Sequence, residues 1–229
     1  ERPKPSILIT GSPGSGKTLL AMELALALTG APEQDMFIAE FPEDAEGVET
    51  LRNRDIPWTT IDSVEALDEL YQALIKAKPR GVILDNLPAA WKMFFTVRCP
   101  SGVMSEDHGK TWNALGYDLT TRLITRYKSL PSLSYFAATS TVWPDKDEFT
   151  AQEGKLQVTL PGQLKGNIYG LFSYALNIKL GEAQGKTIRI LETQPSAKVV
   201  AKVRAPIGEQ PKASFVYDLA SVDKGIEYI

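Results

Sequence analysis

The sequence predicts an α/β fold: a mostly parallel central sheet flanked by helices, with antiparallel C-terminal strands at one edge. Three observations carry that expectation. Short apolar runs alternate with helix-period stretches up to about residue 140. Those runs are continuously apolar, as strands covered on both faces require. Beyond them the pattern changes, and apolar runs follow one another with no long helix between.

The elements follow in order. "SILIT" (6–10) reads as a short buried strand, and "KTLLAMELALAL" (17–28) as a helix rich in the strong helix formers Ala and Leu. "DMFIAE" (35–40) is a second strand. In "SVEALDELYQALIKA" (63–77), Val64, Leu67, Leu70 and Leu74 share one helix face, and Ser63 is placed to cap the N-terminus. "GVILD" (81–85) is a third strand, "TWNALGYDLTTRLITRYKSL" (111–130) a long helix and "SYFAATS" (134–140) a fourth strand. "YALNIKL" (174–180), "KTIRILET" (186–193), "AKVVAKVRA" (197–205) and "SFVYDLA" (214–220) form the strand-rich end. Two long stretches, about 90–110 and 141–166, read as irregular, and loops of that length are usually functional.

Composition narrows the function. The 229 residues suffice for one sizeable core, so a single domain over 1–229 is expected. A net charge of −3 excludes a protein that coats nucleic acid through bulk charge. The single cysteine, Cys99, excludes an internal disulfide and a metal-thiolate cluster, and fits a reducing cytoplasm. The single histidine, His108, lies in the polar stretch "SEDHGK", which reads as a loop. No apolar run approaches the roughly 20 residues that span a bilayer, so no membrane association is expected. The chain begins at Glu1 rather than Met, which leaves a removed leading segment open.

"GSPGSGKT" (11–18) fits G-x-x-x-x-G-K-[ST] between a strand and a helix. Glycines let successive backbone N–H groups turn inward around phosphates, and the helix N-terminus adds its positive dipole end. The expected nucleotide-binding set is Gly11, Ser12, Pro13, Gly14, Ser15, Gly16, Lys17, Thr18 and Leu19. Lys17 would reach the β- and γ-phosphates, and the Thr18 hydroxyl would ligate Mg²⁺. A dinucleotide fingerprint would place a further glycine where Leu19 stands.

Asp85 ends the third strand, where its carboxylate would hold the Mg²⁺ hydration shell; a plain turn residue is the alternative. Its neighbour Asn86 cannot take a proton. Glu40 closes the second strand and could face an attacking water as general base, or else be a solvated acid opening "EFPEDAE".

"MFIAE" followed by "GVILDNLPAAW" resembles the RecA-like ATPase core, in which the glutamate after the second strand is the base. "AKVRAPIG" is similar to the K-x-R element of RecA-family hexameric helicases. The resemblance implies that Lys202 and Arg204 reach a neighbouring subunit's ATP site, where such a cation stabilises transition-state charge. Read from alternation alone, the two cations share an exposed strand face. "YFAATSTVW" resembles the fourth strand, whose polar end senses the γ-phosphate; Ser140, among Thr139, Ser140 and Thr141, is the residue proposed here. The whole looks most like the minimal RecA-core ATPases of bacteriophages, some of which anneal single strands.

That resemblance implies an ATP hydrolase using ATP and Mg²⁺, a homo-oligomer with ATP sites at subunit interfaces, and a place in the host cytoplasm. It also implies action on single-stranded DNA, alongside a recombination or replication partner protein. DNA would run along the irregular stretches, over Trp91, Lys92, Phe94, Phe95, Arg98 and Lys110, and over Trp143, Lys146, Lys155 and Lys165. Aromatics interleaved with cations suit base stacking and phosphate contact, though the same aromatics suit a core or a subunit contact. Two other classes stay open: an ATP-driven motor or switch acting on a protein, and a small-molecule kinase. The kinase reading lacks an arginine-rich lid, Arg122 and Arg126 merely sharing a face of the long helix.

Overall fold

The structure, a computed structural model, describes residues 4–42, 51, 53–103, 108–146, 153–183, 185–196, 199–202 and 214–217. Its frame is a nine-stranded sheet in the order β3-β2-β4-β5-β1-β7-β8-β9, with β6 paired to β5. The strands are β1 (Ser6–Gly11), β2 (Met36–Glu40), β3 (Trp58–Thr60), β4 (Gly81–Asp85), β5 (Tyr135–Lys146), β6 (Glu153–Val158), β7 (Tyr174–Ala183), β8 (Lys186–Glu192) and β9 (Ser214–Tyr217). Pairing is parallel from β3 across to β7 and antiparallel from β7 through β8 to β9. The expected mostly parallel sheet with antiparallel C-terminal strands at one edge is the observed one.

Helices cover both faces. On one face α1 (Lys17–Thr29) lays Leu20, Ala21, Met22, Leu24 and Ala25 over Ile7, Ile9, Ile38, Ile83 and Ala137. The many alanines of α1 let it approach the strands closely, and the Tyr135 hydroxyl donates to the Ala21 carbonyl at 2.9 Å. On the other face lie α2 (Val64–Ala77), α3 (Leu87–Arg98) and α4 (His108–Tyr117), over Leu8, Ala39, Val82, Leu84, Phe136 and Ala138. Ser63 caps α2 as expected, accepting from the Ala66 N–H at 3.1 Å. α4 continues as a π-helical segment, Asp118–Thr125, and closes with the short α5 (Arg126–Lys128). A last short helix, α6 (Leu164–Asn167), precedes β7.

Four expectations change. The stretch 90–110 is largely helical: α3 takes 87–98, capped by the Asn86 side chain, and α4 starts at His108, so that histidine opens a helix. Within 141–166, β5 runs on past the sheet and folds back as a hairpin with β6, pairing Val142 with Val158 and Lys146 with Glu153. β3 is an additional parallel strand beside β2. Of the strand expected over 197–205, Val199 and Lys202 make isolated bridges to Leu156 and Ala175, while 197–198 and 203–205 lie outside the described residues.

Among the described residues no helix is long and apolar enough to cross a membrane. Cys99 is buried at the end of α3, a packing residue.

Candidate active site

The carboxyl ends of β2, β4, β5 and β1 meet the N-terminus of α1, the place where open parallel sheets bind ligands. β1 ends at Gly11, and the loop turns with Gly14 at φ 71° and Gly16 at φ 94°, a left-handed backbone that side chains resist. A methyl group at Gly11 would stand 2.3 Å from the Ile178 carbonyl oxygen and 2.6 Å from Ser15 Oγ, so β7 and the loop close on that residue. The Ser15 N–H donates to the Ser12 carbonyl at 3.2 Å, and Lys17 Nζ donates to the same carbonyl at 3.0 Å. The Ser15 hydroxyl is fully buried and has no hydrogen-bond partner among the described residues. A loop of this shape with an unused buried donor fits a phosphate oxygen.

Behind the loop sit two carboxylates. Glu40 and Asp85 are directly paired on adjacent strands, 2% and 4% exposed, with the Phe41 N–H bonded to the Asp85 carbonyl at 2.8 Å. Buried carboxylates need polar partners. The Thr18 hydroxyl donates to Asp85 Oδ2 at 2.6 Å, and the Thr139 hydroxyl donates to Oδ1. Two hydroxyls therefore orient Asp85 beside the first turn of α1. Thr60 lies opposite Glu40 on β3, and its hydroxyl reaches Glu40 Oε2 at 3.4 Å. Asn86 caps α3, its Oδ1 accepting from the Ala89 N–H at 3.0 Å.

The donor set suits Mg²⁺, which takes few protein oxygens and completes its shell with water and substrate phosphates. Thr18 and Asp85 supply a hydroxyl and a carboxylate at hydrogen-bond separation. Among the described residues no cluster of three or more His, Cys, Asp or Glu offers an all-protein metal cage.

Strand alternation sorts the candidates at the end of β5. Ala137, two residues before Thr139, packs with α1, whereas Ala138, two before Ser140, packs on the opposite face. The structure accordingly brings Thr139 to Asp85, while Ser140 lies beside Thr10 and donates to the Thr141 carbonyl at 3.3 Å. On that same opposite face the Thr10 hydroxyl donates to Asn177 Oδ1 at 3.1 Å, and Asn177 Nδ2 donates to Glu192 Oε2 at 2.7 Å.

Other candidates lie apart. Lys202 Nζ donates to the Phe172 carbonyl at 3.1 Å, ahead of β7, whereas the P-loop lies level with Ile178. Six residues of near-extended chain separate the two, at most roughly 20 Å at ~3.3 Å per residue, and the Lys202 ammonium is held at the Phe172 end, away from its own chain's loop. Burial and the neighbouring Lys202 charge lower the Lys128 pKa from the ordinary lysine value. Arg204 lies outside the described residues. Among the DNA candidates, Phe94 is buried in the core, Arg98 is bound to Asp118 at 2.5 Å, and Trp91 stacks on Trp112 with ring centroids 5.5 Å apart. The side chains of Trp143, Lys146 and Lys155 lie outside what is described. Arg122 and Arg126 both hold Asp68 on α2, and Arg126 lies 4.0 Å over the Tyr71 ring. They brace helices rather than form a lid.

A family model described as an AAA domain (AAA_24) matches residues 3–205. This chain belongs to that AAA domain family. The family is one of P-loop ATPases, which bind ATP and typically Mg²⁺. Among solved structures, a KaiC-like protein from the hyperthermophilic archaeon Pyrococcus horikoshii is similar. It shares 17% identity over 94% of this chain and 90% of that one, with a TM-score of 0.47. No curated protein matches the chain.

Three residues that the structure brings to this candidate site do not stand out in the sequence. Thr60 stands on a strand too short to show a pattern. Thr139 was one of three adjacent hydroxyls, and the α1 packing of "SYFAATS" is the signal that picks it out. Arg189, on β8, donates from Nε to the Ser15 carbonyl at 3.1 Å, and nothing in sequence links positions 174 residues apart.

Proposed function

We propose that this AAA protein binds ATP with Mg²⁺ and hydrolyses it through Glu40, working as a homo-oligomer on single-stranded DNA in recombination or replication. The observation that carries the hydrolytic part is the side-by-side placement of buried Glu40 and Asp85 behind the P-loop. The loop N–H groups and Lys17 hold the phosphates, and the Ser15 hydroxyl supplies one more donor. Thr18 and Asp85 hold Mg²⁺, which when bound neutralises charge developing on the β- and γ-phosphates. Thr139 keeps the Asp85 carboxylate oriented toward Thr18. Glu40 accepts the proton of the attacking water, whose oxygen forms the new bond to phosphorus as ADP leaves. An enclosed base exchanges a weak nucleophile for a strong one at the reacting centre, a gain of ~10²–10⁴ in rate.

The oligomeric part rests on the K-x-R resemblance and on Lys202, whose ammonium lies away from its own loop. In the assembly, Lys202 and Arg204 would serve a neighbour's site. The DNA part is supported by the β5–β6 hairpin, which extends from the same end of the sheet as the P-loop. It is supported also by a cleft of about 510 Å³ that begins at Asn86, next to Asp85, and is lined by Trp91, Lys92, Phe95 and Thr159. Aromatic faces beside an ammonium suit stacked bases and a phosphate. A phage-encoded annealing ATPase in a host cytoplasm is the setting the resemblance suggests.

The test is the ATPase rate with and without single-stranded DNA at low salt, together with the mass of the particle. Stimulation by DNA and a mass of several chains are expected. An unchanged rate with no DNA binding would reject the DNA part and favour a protein partner. No hydrolysis in any condition would reject the whole.

A further inference from the structure

We propose that Arg189 on β8 is a positioning residue for the nucleotide, fixing the Ser15–Gly16 peptide so that the Gly16 N–H faces the phosphates. The inference rests on the ATP-binding reading and extends it to an antiparallel strand the P-loop sequence does not include.

Three observations carry it. The Arg189 Nε–H donates to the Ser15 carbonyl at 3.1 Å. A trans peptide points its C=O and N–H in opposite directions, so anchoring the Ser15 oxygen on one side sends the Gly16 N–H to the other. In a phosphate loop that inward N–H is the ligand-binding group. Second, the guanidinium fills the space a side chain would take at Gly16. A methyl there would stand 2.9 Å from Arg189 Nε and 3.7 Å from Cζ. Gly16 is therefore required twice, by its φ of 94° and by the arginine lying against it. Third, β8 is held at the height of the loop by a separate polar link from Thr10 through Asn177 to Glu192, so the arginine is presented from a fixed strand. Among the described residues Arg189 forms no ion pair, and its charge lies beside the loop that takes the anion.

The sequence hides this contact because "KTIRILET" reads only as a strand carrying two cations, Lys186 and Arg189, with nothing to single out the second. Arg189 is half-buried, and its stem lies against Gly16 at the start of α1, a contact that would also serve packing alone. The experiment must separate the two.

Fluorescent ATP and ADP analogues are titrated, with Mg²⁺ present, into wild type, Arg189→Met and Arg189→Lys, and the melting temperature of each nucleotide-free protein is measured. Met keeps the stem and removes the donor; Lys keeps a cation able to reach the Ser15 oxygen. Arg189→Met is expected to weaken both nucleotides roughly tenfold, the scale of one charged hydrogen bond. KM should rise by a similar factor while kcat changes less than about threefold, and Arg189→Lys should recover most of the affinity. If wild type binds and Arg189→Met binds equally well, the inference falls and the ATP reading stands. A lowered melting temperature with unchanged affinity in both variants also overturns it, leaving a packing contact. If wild type binds neither analogue, the ATP reading falls and takes the inference with it. Should Arg189→Met not fold, Arg189→Leu, which also lacks a donor, carries the same comparison.

Discussion

Replacing Thr139 by Val removes one oxygen and keeps the side-chain shape. In the folded chain the Thr139 hydroxyl is fully buried and donates to Asp85 Oδ1, while Thr18 donates to Oδ2. The substitution leaves a 4%-exposed carboxylate with a methyl group against one oxygen, where water does not readily take the donor's place. A hydrogen bond to a charged group is worth about 1.5–3 kcal/mol, and one degree of freedom is restored to the carboxylate. At ~2–4 °C per kcal/mol for a domain of this size, melting should fall by about 3–12 °C. Asp85 also loses its orientation toward Thr18, so the Mg²⁺ concentration for half-maximal ATPase should rise several-fold. Thermal melts at pH 7 and Mg²⁺ titrations of steady-state hydrolysis read both effects. Ser140→Ala, on the other sheet face, is the comparison. Unchanged melting and Mg²⁺ dependence in Thr139→Val would refute the reasoning. A defect in Ser140→Ala alone would make Ser140 the working hydroxyl instead.

Glu40→Gln keeps the size and a contact for Thr60 but cannot accept a proton; kcat should fall ~10²–10⁴-fold with ATP affinity retained, measured by single-turnover hydrolysis and equilibrium binding. Lys17→Ala and Arg204→Ala proteins should each be inactive alone and recover activity when mixed, since a mixed interface joins an intact loop to an intact cation; full activity of Arg204→Ala alone counts against a shared site. Asp68→Asn tests the helix brace. The Arg122 hydrogen bond, with Arg126 beside it, holds the Asp68 carboxyl below the usual carboxylate range. A depressed acid stabilises above its unfolded value of ~3.9, and that gain is lost as pH falls through the lower folded value. Because Asp68 is 40% exposed, about 1 kcal/mol or less is at stake. The variant should therefore melt lower at pH 7 by no more than about 2–4 °C, with the gap narrowing as the pH falls below ~3.9.

The strands that could be read from sequence are those whose environment is uniform. "SILIT" and "GVILD" lie between two helical layers, so every residue is apolar and the signal is unambiguous. β3 escaped because three residues, with Trp58 and Thr60 exposed, carry neither alternation nor a continuous run. α3 escaped because Trp91, Phe94 and Phe95 looked like a stacking surface when their spacing also fits a helix packing on the sheet. Phe94 is in fact core. The P-loop was legible because phosphate binding needs glycines at set positions within one short segment. Thr139 and Arg189 were not, because their partners arrive from other strands, and only the register of β4 with β5 and of β7 with β8 decides who meets whom.

β3 also changes the standing of Glu40. Without it β2 would be the edge of the sheet and the carboxylate would face bulk solvent. With it, the base is roofed by a strand of three residues that pairs only with β2, in the described part of the sheet. A roof that slight is the portion of a sheet that opens first, by local fraying that leaves the core intact. The amide of Ile61, bonded to the Glu40 carbonyl at 2.8 Å, is the proton freed by that opening. Its exchange with deuterium therefore clocks how often solvent enters the space around the base.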